Sequence, residues 1–286
     1  MNETTFHFGP DAGLVGTLSS AAEAAAMPTF GAILFNAGVV PRIGPNRLNV
    51  RIARALAQDG IPTLRFDLSG RGDSAPARGM ASFEEQAVAD MRAAMDVMTQ
   101  RTGARRFLLM GICSGAECAY HAALADERIV AISLMDSYHF PTWRTRLNRY
   151  RLRARRRGGV LKAGLGWLRN RARGAIGRVA ERDWASANFG SIRPSAEEFA
   201  GNLQRLIDRG VKIDLLFSGS FVETYNYAGQ FRDGFKRYGI SEAINAEYRS
   251  HLDHTLSTAA MQREVVERTC SYFRTIAGRR EQLPRS

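Results

Sequence analysis

Cysteine is scarce and irregularly placed: Cys113, Cys118 and Cys270 are the three in 286 residues. Their odd number and unrelated spacings indicate neither a disulfide framework nor a zinc site, and leave at least one thiol free for other chemistry. Long hydrophobic runs are missing too, so no stretch reads as a transmembrane helix. The first thirty residues carry no lysine or arginine, which is unlike the basic start of a secretory leader. The expectation is a soluble, cytoplasmic protein with no metal and no cofactor. Internal repeats are absent, and the one biased tract is basic.

What is present suits a large core. The chain is 45% hydrophobic and 24% charged, near the upper size of a single domain. Its net charge of +12 is concentrated. From Arg144 to Arg182 there are fourteen Lys or Arg and one acid, Glu181; this segment carries the excess, and the rest is close to neutral. Leu147, Leu152, Leu161, Leu165, Leu168 and Ile176 recur there at roughly helical intervals, predicting short amphipathic basic helices broken at Gly158–Gly159 and Gly174.

Elsewhere strands and helices alternate. Apolar runs at Gly31–Phe35, Pro62–Phe66, Arg106–Met110, Val130–Met135, Lys212–Phe217 and Ala246–Tyr248 read as buried strands. Helical spacing falls at Val50–Gln58, Phe83–Thr102, Ala116–Ala125, Ala196–Asp208, Ala228–Tyr238 and Thr258–Ile276. This order implies an α/β fold with a mostly parallel central sheet covered on both faces. Near the start, Gly9–Gly13 can turn one short strand back on another, so an antiparallel hairpin is expected to open the sheet.

The stretch LLMGICSGAECAYHAAL, residues 108–124, reads as strand, sharp turn, helix. A nucleophile at such an apex needs small residues two before and two after it, because the strained backbone crowds both positions. With Cys113 at the apex the flanks are Gly111 and Gly115; with Ser114 they are Ile112 and Ala116. Sterics favour Cys113, and the following helix offers N-terminal amides to negative charge. The plain alternative is a buried structural cysteine followed by Ser114 as a helix cap.

Four stretches in order resemble the α/β-hydrolase superfamily. Phe35-Asn36-Ala37-Gly38 stands where the family has its oxyanion loop, and Asp67-Leu68-Ser69-Gly70-Arg71-Gly72-Asp73-Ser74 resembles its D-x-x-G-x-G-x-S turn. Gly111-Ile112-Cys113-Ser114-Gly115 is similar to the nucleophile elbow, and Asp253-His254-Thr255-Leu256 to the late histidine loop. The block around residues 36–74 looks closest to a bacterial subgroup related to serine aminopeptidase-like hydrolases and hydrolases associated with exopolysaccharide export.

The resemblance implies an acyl-transfer site. Cys113 would attack a carbonyl carbon, as in the similar dienelactone hydrolases, and form an acyl-cysteine. His254 would move the proton, with His251 as the competing histidine. The acid is where the pattern departs: no aspartate follows the Lys212–Phe217 strand, so Glu223 in SGSFVETYNY is the expected partner of His254 and Asp136, after the preceding strand, the alternative. The oxyanion hole would combine the Ser114 amide with one from Ala37 or Gly38.

The resemblance also divides the chain into a core, 1–139 and 196–286, and an inserted basic helical cap, 140–195. The expected substrate is an acyl ester or thioester, carried on coenzyme A or an acyl carrier protein in one version, with the cap as an anionic-partner contact and nucleic acid the least favoured option. Two functions remain open: a hydrolase, thioesterase or acyltransferase, or a non-catalytic protein of the same fold that binds through its cap.

Overall fold

A computed structural model describes residues 1–22, 28–79, 82–156 and 193–281. Among the described residues eight strands form one sheet: β1 (Asn2–Phe8), β2 (Leu14–Ser20), β3 (Phe30–Leu34), β4 (Thr63–Asp67), β5 (Arg106–Ile112), β6 (Ile129–Met135), β7 (Lys212–Ser218) and β8 (Asn245–Arg249). Their order across the sheet is β1-β2-β4-β3-β5-β6-β7-β8. The β1–β2 hairpin and the β2–β4 pair are antiparallel, and the remaining pairs are parallel.

The α-helices among the described residues are α1 (Leu48–Gln58), α2 (Phe83–Thr102), α3 (Ser114–Ala125), α4 (Trp143–Arg156), α5 (Ala196–Asp208), α6 (Gln230–Phe235) and α7 (Ala259–Glu281). Local chemistry marks their ends. Ser82 caps α2 in a reciprocal capping box with Glu85, and Gly103 stops it in the left-handed conformation, which a residue without Cβ adopts at little cost. Ser195 accepts from the Glu198 amide to start α5.

Strand alternation sends side chains into two cores. From β5, Phe107 and Leu109 join the core beneath α2, α3 and α5, whereas Leu108, Met110 and Ile112 join the core beneath α1 and α7. Burial on both faces is why these strands read as continuous apolar runs rather than alternating ones. Truncating a fully buried leucine such as Leu108 to alanine costs about 2–5 kcal/mol.

Chain direction across the sheet reverses between β3 and β5, which are neighbours. Loops leaving their carboxyl ends diverge, and open α/β sheets bind ligands in such a crevice. The proposed cap of 140–195 is described only at its two ends; residues 157–192, including the expected breaks at Gly158–Gly159 and Gly174, lie outside the described residues.

Candidate active site

The turn from β5 into α3 puts Cys113 at its apex, with φ 58° and ψ −129°. Such a backbone is strained for a residue with a side chain and is associated with functional sites. Neither flanking glycine can be enlarged: a Cβ on Gly111 would stand 2.2 Å from the Gly115 carbonyl oxygen, and one on Gly115 2.4 Å from that of Asn36. Ser114 is the first residue of α3 and is buried, and Cys113 itself occupies the cap position. The reading of Ser114 as a cap therefore gives way to one in which its amide is a free-ended N–H of the first turn.

Sheet register places Asp136 on the strand next to the elbow. Ile112 on β5 pairs Met135 on β6, which pairs Leu216 on β7. One residue further, the Cys113 amide donates to Met135 O at 3.0 Å and the Asp136 amide to Leu216 O at 2.9 Å. Asp136 then turns with φ 51°, a conformation that aspartate tolerates better than most residues. Its carboxylate is buried and accepts the Ser218 amide and hydroxyl, each at 2.7 Å, and His254 Nδ1 at 2.8 Å.

His254 is held from several sides. Its amide donates to Ser220 Oγ at 2.8 Å, and Phe221 meets the imidazole edge-on at 5.0 Å. Asp253 shapes the loop by accepting from the Thr255 and Ser257 amides, while Asn46 donates to Thr255 O at 2.9 Å. Burial pulls the imidazole pKa down, but hydrogen bonds and charge attraction from Asp136 and Cys113 outweigh it and push the value up to about 10. Both partners favour the protonated ring.

Ala37, Gly38, Cys113 and His254 line one pocket of about 520 Å³, with apolar walls from Val39, Val40 and Ile112 and a cationic contribution from Arg71. The loop after β3 is braced by Asn36, whose side chain donates to Val40 O and Asp67 Oδ1 and accepts the Leu68 amide. Asp67 also accepts from the Arg42 amide and guanidinium. The D-x-x-G-x-G-x-S turn wraps that carboxylate: a Cβ on Gly72 would fall 2.4 Å from Asp67 Cγ, and Ser74 closes the turn onto Asp67 O. Asp67 and Ser74 are thus scaffold for the loop.

Glu223, the expected acid, does not reach His254. It is half exposed and pairs with Arg153 of α4 at 2.7 Å, because the loop after β7 turns its carboxylate toward the arginine-rich helix. His251 lies away from the pocket, exposed and paired with Glu264 at 2.7 Å. Sequence reasoning missed Ser218. It stands just where the resemblance expects an aspartate and instead donates twice to Asp136, the alternative partner of His254 on the neighbouring strand.

The strand order, the elbow and the late histidine loop settle the architecture. The chain has the α/β-hydrolase fold. A family model described as serine aminopeptidase, S33, matches residues 46–145. The fold is similar to that of XC6422 from Xanthomonas campestris, an α/β serine hydrolase without a lid, at 14% identity and TM-score 0.54 over 100% of this chain and 97% of that one. It is similar to the esterase Pf2001 from Pyrococcus furiosus at 11% identity and TM-score 0.55, covering 96% and 92%. ATU1826 from Agrobacterium tumefaciens, a putative α/β hydrolase, has 13% identity and TM-score 0.54 over the full length of both chains. No curated protein matches this chain by sequence. Among the described residues no helix is long and apolar enough to cross a membrane.

Proposed function

We propose that this α/β hydrolase cleaves esters or thioesters through an acyl-cysteine, with Cys113 as nucleophile, His254 as base and acid, and Asp136 as the group that orients His254. The observation that carries this reading is one convergence: His254 Nδ1 meets Asp136 at 2.8 Å, and His254 lines the same pocket as Cys113, which stands at the strained apex. An acid–base–nucleophile chain of this kind is recognised by geometry and roles rather than by sequence position.

In the first half-reaction the proton resides on His254 and the sulfur attacks as a thiolate, the nucleophilic form of cysteine. Negative charge moves to the carbonyl oxygen, where the amide of Ser114 and an amide of the Ala37–Gly38 loop stabilise it. Collapse of the tetrahedral species breaks the bond to the leaving alcohol or thiol, which takes the proton from His254. Water then gives its proton to His254 and attacks the acyl-cysteine; the acid leaves and the sulfur is restored. An alcohol or amine in place of water would make the same site an acyltransferase.

The apolar walls around Cys113 suit a hydrocarbon acyl group, and Arg71 can meet a polar or anionic part of the substrate. The reading of a non-catalytic binding protein rested on a missing acid, and Asp136 removes that reason. The deciding experiment is intact mass after mixing with an activated acyl thioester. An added acyl mass that disappears in Cys113→Ala and persists in Ser114→Ala is expected; loss with Ser114→Ala alone, or no adduct and no turnover with any acyl donor, would overturn the mechanism.

A further inference from the structure

Helix α4 presents two very different faces. Inward, Thr145 is fully buried and Asn148 donates to Asn226 Oδ1. Arg144 pairs with Asp233 at 2.8 Å and lies over the Tyr227 ring, while Arg153 pairs with Glu223 at 2.7 Å. These contacts from the loop after β7 and from α6 fix the rotation of the helix about its own axis. Outward, Trp143 is 72% exposed, Leu147 39% and Tyr150 59%.

Those three residues stand at i, i+4 and i+7, so they form one stripe along one side of the helix. Three large side chains that could have turned toward the core are instead directed away from it. The arginines complete the pattern. Trp143 to Arg153 contains five arginines and no acid. By helical spacing, Arg144 and Arg151 flank the stripe on one side and Arg146 and Arg153 on the other; Arg144 and Arg153 are drawn to Asp233 and Glu223, which leaves Arg151 and Arg146 as the flanking cations. Isolated exposed apolar residues need no explanation, but an aromatic stripe bordered on both sides by cations is the signature of a helix lying in an interface.

We propose that α4 docks the protein on an anionic lipid surface, with Trp143, Leu147 and Tyr150 entering the headgroup boundary and the flanking arginines meeting lipid phosphates. Charge complementarity selects this occupant: a protein groove would satisfy the stripe but leave Arg146 and Arg151, one on each side, to be matched, whereas a planar anionic surface meets both at once. Tryptophan and tyrosine also favour that depth, where one end of the ring is apolar and the other is wet. The arginine stems reach outward while their heads stay with phosphate.

The test is co-sedimentation of the full chain with vesicles of phosphatidylcholine alone and of phosphatidylcholine with phosphatidylglycerol. Binding is expected to the second and not the first. Arg146→Glu with Arg151→Glu should weaken it roughly thirty-fold or more, and Trp143→Ala with Tyr150→Ala should weaken it about ten-fold or more. Turnover of a soluble ester by both variants should match the parent, which shows that they are folded and separates this proposal from the proposed reaction. Equal binding to both vesicles, no binding to either, or anionic binding that the aromatic variant retains would overturn it. So would a change from dimer to monomer in the aromatic variant with vesicle binding intact, since the stripe would then be a self-association face.

Discussion

The carboxylate of Asp136 accepts a hydrogen bond from His254 Nδ1 at 2.8 Å across 118 residues of chain. The same carboxylate takes both the amide and the hydroxyl of Ser218. Asp136 is therefore fixed before it meets the histidine, and it fixes the ring in turn.

That relationship separates the two candidate acids experimentally. Asp136→Asn should lower kcat by about a hundred- to ten-thousand-fold, because an amide cannot hold the imidazole in its charged state or its correct tautomer. Glu223→Gln should leave kcat within about two-fold, since an exposed ion pair contributes little. Steady-state kinetics on a chromogenic ester would check both, and the reverse ranking would return the role to Glu223.

Thiol labelling should single out Cys113. Burial pushes Cys270 up to about 11 and raises Cys118 further from its ordinary value, so neither supplies much thiolate at neutral pH. Peptide mapping after iodoacetamide should find Cys113 labelled roughly ten-fold faster or more, with the advantage lost in His254→Gln. Equal slow labelling of all three would count against the nucleophile.

His254 also makes stability depend on pH. Its pKa is raised in the folded protein from 6.5 to about 10, so folding favours its protonated form. The resulting contribution is fully present below about pH 6.5 and is lost as pH rises through about 10. Urea unfolding over that range should show the parent's advantage over His254→Gln shrinking with rising pH. In Cys113→Ala the window should narrow, because the sulfur is one of the groups that hold the proton.

Gly111→Ala should damage the fold itself. Its Cβ would meet a backbone oxygen at 2.2 Å, which a side-chain rotation cannot relieve, and the expected cost is about 1–3 kcal/mol or more. Thermal unfolding should show a fall of several degrees. An unchanged midpoint would mean that the elbow can open without loss.

Much of this protein was written locally. Buried runs such as Phe107–Met110 give strands whatever surrounds them, and Ser82 with Glu85, or Gly103, mark helix ends within a few residues. Gly111, Cys113 and Gly115 likewise announce a tight apex, because only small flanks fit there; the late Asp253-His254-Thr255 loop is a local turn held by Asp253. These features depend on contacts near in sequence, so the sequence alone determined them.

The choice of acid did not have that character. Glu223 lies close to the expected position along the chain, yet a salt bridge to Arg153 takes it elsewhere. Asp136 reaches His254 because β6 lies between β5 and β7 in a particular register, and because Ser218 on the neighbouring strand supplies two donors to a buried charge. The outward stripe of α4 was decided in the same way: its periodicity shows an amphipathic helix, but only the inward contacts of Thr145, Asn148 and Arg153 say which face is left to the outside. Sequence determines which residues can form an element. The tertiary structure decides which distant groups share one small volume, since that depends on strand order and register summed over the whole sheet.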